Sequence, residues 1–411
     1  MTAGWVALVE SNTTGTGRIF ARRVRELGLR PLLLCADPAR YGYLEADGVD
    51  HVVTDTGSPA AVAAAVREVT GDGCRGITTS SERAVLVTAR AAALLGLPGE
   101  SADAVERCRD KGEQRRAMAA AGLRTPAYRV CASPAQAAAA AAEIGLPVVV
   151  KPVTGTGSAG VRSCRTTAEA GSWAERLLAP AGAPMVLVEQ QLAGAEFSVE
   201  TVGTHVLGVT ATLLGPEPHF VETGHDFPAA LPAETAGLIA GEALRALSAL
   251  GAGAVAAHTE LRYGPDGPVV VEVNPRPAGG MIPQLVLLAS GVDPITAVLE
   301  VVTGGTPKVT PTLRRHAAIR FVIPGRDGIV RAIDGVADAR GLPGVAEVSV
   351  APRTGTAYER RNSFEDRIGY VIATGTSAVS AGALAERALR RIRVSVQEEN
   401  QTGQDKGSVP S

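Results

Sequence analysis

The chain has 411 residues, 45% of them hydrophobic and 20% charged, with a formal net charge of -2. That length exceeds one ordinary core, so two or three domains are expected, and the composition excludes a largely disordered chain. Lys and Arg are spread along the sequence and form no basic stripe with interleaved aromatics, which argues against a nucleic-acid partner.

Aromatic residues make up only 3%, so Ala, Val, Leu and Ile must fill the core. The five cysteines (Cys35, Cys74, Cys108, Cys131, Cys164) are odd in number, widely spaced and lack a C-x-x-C pair. They read as reduced thiols rather than as a disulfide framework or a zinc site. The opening stretch "MTAGWVALVES" lacks the charged and long apolar regions of a signal peptide. No run approaches the roughly 18 apolar residues that span a bilayer. The expectation is a cytoplasmic protein with no membrane partner.

In chain order, "WVALVES" reads as a strand, "NTTGTG" as a loop and "RIFARRVRELGL" as a helix. The strands "RPLLLCAD", "VDHVVTDT" and "CRGITTSSE" follow, alternating with helices. Residues 1–105 therefore form an open α/β domain with a parallel sheet. Gly15 and Gly17 open a dinucleotide-like turn and Asp37 follows about twenty residues later, but Phe20 occupies the third small position. NAD or NADP binding is set aside for that reason, and the turn reads as a substrate-side loop.

A helix pair runs to Pro126, and the Ala-rich "SPAQAAAAAAEIG" is a helix with Ser133 as cap and Gly145 at its end. A lid of strands over about 126–192 sits within a core of 106–305, followed by a C-terminal α/β segment, 306–398. Residues 399–411 are polar and breaker-rich and read as a disordered tail.

Two segments carry chemistry. In "VVVKPVTGTGSAGV" an apolar strand delivers Lys151, and Gly155, Thr156, Gly157 and Ser158 lie in the loop after it. Glycines admit anionic oxygens close to backbone N–H groups, and a lysine beside them adds a fixed charge, so phosphate binding is one reading. A plain hairpin loop with a chance lysine is the other. In "HTELRYGPDGPVVVEVNPRPAGG", Glu260 ends one apolar run, and Glu272 and Asn274 lie in the next beyond a turn. Alternation puts Glu272, Asn274 and, if the strand extends, Arg276 on one face. Two carboxylates and an amide suit magnesium, a hard cation that keeps nucleotide phosphates in its shell. A solvated polar face is the plain alternative, but "PVVVEVNP" is too apolar for it.

With these motifs in order, the sequence resembles the ATP-grasp superfamily of carboxylate–amine ligases. The "HTE … VEVNPRPAGGMIP" region is similar to its L-amino acid ligase branch, which joins two amino acids. The resemblance implies an α/β fold of ATP-grasp architecture: an N-terminal open parallel domain, a central nucleotide lid and a C-terminal mixed domain. It implies ATP with one or two Mg2+ ions, Mn2+ as a substitute, small-molecule carboxylate and amine substrates, and it admits a homodimer. By position, Lys111 in "RDKGEQRR" and Lys151 resemble the two ATP-grasp lysines. "VEQQLAGAEFSVE" resembles the nucleotide hinge, with Glu189, Gln190 and Leu192 near adenine and Glu196 on the ribose. Glu260, Glu272 and Asn274 would hold metal, and Arg276 would face the transferred phosphate. Gly279 and Gly280 would line the acceptor end; Gly280 either leaves room for the acceptor side chain or permits a tight turn.

In "VETGHDFPA", Glu222 and His225 are candidates for the substrate side, with His225 also a candidate catalytic group. His258, two residues before Glu260, shares its strand face and is a further substrate-side candidate. His205 and His219 read as structural. The competing functions are a biotin-carboxylase-like or purine-pathway ligase and, in another class, a non-catalytic nucleotide-binding or Rossmann-type protein.

Overall fold

The computed structural model describes residues 4–12, 16–155, 157–179 and 182–397. The expected tail 399–411, Gly15 of the N-terminal turn and Thr156 of the Gly-rich loop lie outside the described residues.

The N-terminal sheet is parallel and comprises Asp50–Val53, Arg30–Cys35, Trp5–Val9 and Cys74–Thr78, in that spatial order. Its two central strands, Trp5–Val9 and Arg30–Cys35, are apolar on both faces because both faces are covered. Val6, Leu8, Leu33 and Cys35 pack with Phe20 and Val24 of the helix Thr16–Glu26. Ala7, Val9, Leu32 and Leu34 point the other way, onto Val62, Val66 and Ala91. Ile295, Val298 and Leu299, from the distant helix Pro294–Val302, complete the first of these cores. That contact ties the N-terminal sheet to the rest of the molecule.

The lid is a four-stranded antiparallel sheet in the order Tyr128–Cys131, Val186–Gln190, Val148–Pro152, Arg162–Cys164. One face carries the helices Pro134–Ile144 and Thr167–Leu177 over a core of small and β-branched side chains. Ser133 caps the first helix by accepting from Gln136 N at 3.2 Å, and Gly145 ends it, as the sequence suggests.

The centre is an eight-stranded antiparallel sheet. From one edge it runs Gly267–Asn274, Ala256–Gly264, Ala195–Val202, His205–Leu214 and Glu222–Phe227. It continues with His316–Val322, Gly369–Gly375 and Val345–Val350. The C-terminal segment thus adds three strands to the central sheet, and a separate three-stranded sheet lies beyond them. The helix Ala233–Leu250 buries Ile239, Ala243, Leu247 and Leu250 against Val199, Leu261 and Val273, an apolar stripe at helical spacing. Each such large aliphatic side chain contributes roughly 2 kcal/mol. The opposite face of these strands is polar. No single helix among the described residues is long and apolar enough to cross a membrane.

Candidate active site

The polar face is laid out by strand register. Arg262 pairs with Glu196, Glu260 with Ser198, and His258 with Glu200 on one side of the strand Ala256–Gly264. On its other side Glu260 faces Glu272 and His258 faces Asn274. Side chains two apart share a face, so these rows form one floor. A bulge between Glu260 and Leu261 opposes one extra residue, Val271, and brings it beside the cleft. The strand ends at Asn274, so Arg276 lies in the turn beyond it, with its N–H donating to Asn274 O at 2.8 Å.

A cleft of about 850 Å³, counting the space at its open mouth, lies over this floor and under the lid. Lys111, Lys151, Gly157 and Ser158 line it, as do Glu189, Gln190, Leu192 and Glu196 of the hinge. Glu222, Glu260, Glu272, Asn274 and Arg276 line it as well. Gly155, His225, His258, Gly279 and Gly280 do not.

Lys111 begins the helix Lys111–Ala120, where Asp110 caps the first turn. Its Nζ donates to Gly155 O at 2.9 Å and lies 3.1 Å from Glu272 Oε1. Gly155 thus meets the site through its carbonyl. Lys151 Nζ lies 2.5 Å from Glu189 Oε1, while Arg115, fully buried, donates from Nε and Nη2 to Glu189 Oε2. Burial works to raise the Glu189 carboxyl, but Arg115 and Lys151 overcome it and hold it at about 2. The Glu189 side chain is therefore held by two cations and fixes the second lysine, while the residue still lines the cleft. Burial pushes Lys151 down, partly offset by Glu189.

Glu196 receives Arg262 Nε at 3.2 Å. Burial, then the nearby Glu260 charge, push its carboxyl up to about 7 despite that arginine. Arg276 is ion-paired with Glu82, from the short 3-10 turn Glu82–Ala84 after the N-terminal sheet.

His258 is corrected outright. Its Nδ1 lies 3.0 Å from Glu200 Oε2 and its Nε2 3.3 Å from Glu260 Oε1, so both ring nitrogens are committed to carboxylates beneath the floor. Burial alone would lower its pKa, but Glu200 and Glu260 raise it to about 10. It braces Glu260 and does not line the cleft.

His225 is 1% exposed and stands behind Glu222. A register shift at Leu213/Leu214 breaks simple alternation and lets the two meet, with His225 Nε2 3.6 Å from Glu222 Oε2. Burial pushes His225 down to about 4 against the pull of Glu222, so the ring is neutral at pH 7. Burial would raise Glu222, but His225 and Arg367 hold it at about 2. Gly280 has φ +57°, and a Cβ there would fall 2.7 Å from His225 Nε2. Its side-chain side is filled by the histidine, so the tight-turn explanation holds and the open-pocket one does not. Gly279 stands in open space and does not line the cleft.

Several residues escaped the sequence. Arg115 lies four after Lys111 on the same helix and Arg262 two after Glu260 on the same strand, so periodicity pointed at both. Glu82, Phe220 and Arg367 gave no local signal. Phe220 lines the cleft, and its carbonyl accepts from Ser158 Oγ at 2.9 Å. From the C-terminal segment, Phe364 N donates to Gly157 O at 3.3 Å, and its ring occupies the place of a Gly157 side chain.

The donor set can be tested against a divalent cation. Glu260 and Glu272 are direct cross-strand partners, Asn274 follows two residues on, and all three face the cleft. Among the described residues no three His, Cys, Asp or Glu side chains are grouped closely enough to hold an ion by themselves. The site thus offers two carboxylates and an amide and leaves further positions to other oxygens. Those donors fit magnesium shared with phosphates.

This fold and cleft define an ATP-grasp protein. The family model of the ATP-grasp domain matches residues 144–284. The model of the L-amino acid ligase C-terminal domain 2 matches residues 320–397. An uncharacterized protein, y4rH, from Sinorhizobium fredii is 38% identical over 390 residues, covering 94% of this chain and 82% of its own. A D-alanine–D-alanine ligase from Gloeobacter violaceus is 34% identical over 225 residues, 48% of this chain and 70% of its own. The solved L-amino acid ligase from Bacillus licheniformis superposes with a TM-score of 0.81 over 96% of this chain and 99% of its own, at 24% identity, a likeness of fold. The chain belongs to the ATP-grasp superfamily of carboxylate–amine ligases and resembles its L-amino acid ligase branch.

Proposed function

We propose that the protein joins an amino acid carboxylate to an amine, most simply that of a second amino acid, through an acyl phosphate, releasing ADP and phosphate. The observation that carries this reading is the cleft's charge pattern. Two facing carboxylates, Glu260 and Glu272, share one cleft with two buried lysines, Lys111 and Lys151, and with Arg276.

A carboxylate is a poor electrophile until its oxygen becomes a leaving group, and phosphorylation by ATP supplies one. In this reading Lys111 and Lys151 bind phosphate oxygens, and the Glu189–Arg115 pair keeps Lys151 extended toward them. Glu196 orients the ribose, with Arg262 fixing its carboxylate, and Leu192 and Val271 give the base apolar walls. Glu260, Glu272 and Asn274 would hold one or two magnesium ions, or manganese in their place, which neutralise charge on the phosphates. Arg276 stabilises the oxygens that gain charge as the phosphoryl group moves and as the amine attacks. The lid strands and Phe220 exclude water that would otherwise hydrolyse the acyl phosphate.

The test is phosphate release from ATP, assayed with pairs of amino acids and followed by mass spectrometry of the product. Release that requires amino acids, with ADP as the nucleotide product and a hydroxamate trapped by hydroxylamine, is expected. AMP and pyrophosphate as sole nucleotide products would reject the mechanism. Release dependent on bicarbonate alone would instead favour a carboxylase-type ligase.

A further inference from the structure

We infer that Arg367 is a positioning residue for an ammonium-bearing substrate: it clamps one oxygen of Glu222 and leaves the other facing the cleft for the substrate's N–H groups. This rests on the amino acid reading above and deepens it.

Glu222 Oε2 receives Arg367 Nη2 at 2.5 Å and lies nearest His225. Oε1 has no partner among the described residues, and Glu222 lines the cleft. An ionised carboxylate with one oxygen spoken for is a directional acceptor that a primary ammonium matches in both charge and hydrogen bonding, whereas a carboxylate would be repelled.

The clamp is built rather than incidental. The Arg367 guanidinium lies 3.9 Å from the centroid of the Phe321 ring, and His225 meets the same ring edge-on at 5.6 Å. Behind it, Arg367 N donates to Phe364 O at 3.2 Å and Ile368 N to Val322 O at 2.9 Å. Asp366 accepts from Arg361 N at 2.7 Å and Asn362 N at 2.9 Å, which closes the segment on itself. The Arg367 side chain is 13% exposed. Charge gives the reason for an arginine here. Glu222 next to a neutral His225 would be a half-buried, uncompensated anion, and Arg367 supplies the countercharge while leaving it an acceptor.

The experiment uses full-length wild type, Arg367→Met and Arg367→Lys. The probes are the twenty common L-amino acids and, for each that binds, its des-amino acid. Binding is read as a ligand-induced melting shift with MgADP present, and turnover as KM against kcat. The expectation is at least about a tenfold loss of amino acid affinity in Arg367→Met, carried in KM, with partial recovery in Arg367→Lys. The weak binding of the des-amino acid should be the same in all three proteins. Unchanged amino acid affinity in Arg367→Met would overturn the assignment. So would equal weakening of both probes, or wild type that binds no amino acid. Should Arg367→Met not fold, the same comparison is made between Arg367→Lys and wild type. Arg367-dependent amino acid binding without amino-acid-dependent phosphate release would leave the clamp standing and reject the ligase.

Discussion

Glu260 and Glu272 face each other across two antiparallel strands, and each is met by a cation of its own, His258 at 3.3 Å and Lys111 at 3.1 Å. The protein thus holds two like charges side by side and balances them from opposite flanks. Changing Glu272 to Gln keeps the shape and removes one charge, so the fold should survive. Turnover at saturating magnesium should fall about 100-fold or more. Phosphate release and thermal melting measured together decide it: near-normal turnover would remove Glu272 from the metal set.

The Lys151–Glu189–Arg115 group makes an unequal prediction. Glu189→Ala strands two buried cations and should cost about 3–5 kcal/mol of stability. Lys151→Ala leaves Glu189 bonded to Arg115, so its stability loss should be smaller, about 1–2 kcal/mol, while ATP binding weakens. Denaturant unfolding ranks the two. A Lys151→Ala protein less stable than Glu189→Ala would contradict the bridging geometry.

Glu196 gives a pH test with a definite sign. Its folded value of about 7 lies above the ordinary 4.5, so the native protein keeps that proton longer than the unfolded chain does. The resulting stability is complete below about pH 4.5 and is lost as pH rises through about 7. Glu196→Gln should therefore be more stable than wild type at pH 8, by up to about 3 kcal/mol at 1.36 kcal/mol per pH unit, and melt higher. Near pH 4.5 the two should converge. Parallel melting curves across that range would refute the raised carboxyl.

Gly280→Ala should lower activity with every acceptor alike. The new methyl meets His225, and a positive φ costs a non-glycine residue about 1–2 kcal/mol. Activity across acceptors of different size is the measurement; selective loss of large ones would restore a pocket-bordering role.

Strand alternation and motif order made the floor legible: Glu260, Glu272 and Asn274 reach the cleft because they sit at even spacing on paired strands. The parallel N-terminal sheet was legible for a related reason, since strands covered on both faces read as unbroken apolar runs. What escaped was long-range pairing. Arg276 with Glu82 and Glu222 with Arg367 join residues 194 and 145 positions apart, where no periodicity connects them. Alternation also placed His258 on the metal face without revealing that Glu200, on a third strand, claims its other nitrogen. The bulge that joins Glu222 to His225 breaks the spacing rule from which a sequence argument would start.

The turn that carries Phe364 and Arg367 touches the Gly-rich loop at one end and Glu222 at the other. Residues 144–284 hold the lysine Lys151, the hinge and all three metal candidates, while this turn belongs to the stretch 320–397. The Glu222–Arg367 pair therefore joins the two stretches, with the acceptor in one and its clamp in the other. Exchanging residues 357–368 with those of a relative would alter both contacts of the turn at once, and reading amino acid preference and ATP affinity side by side would show which of them follows the graft.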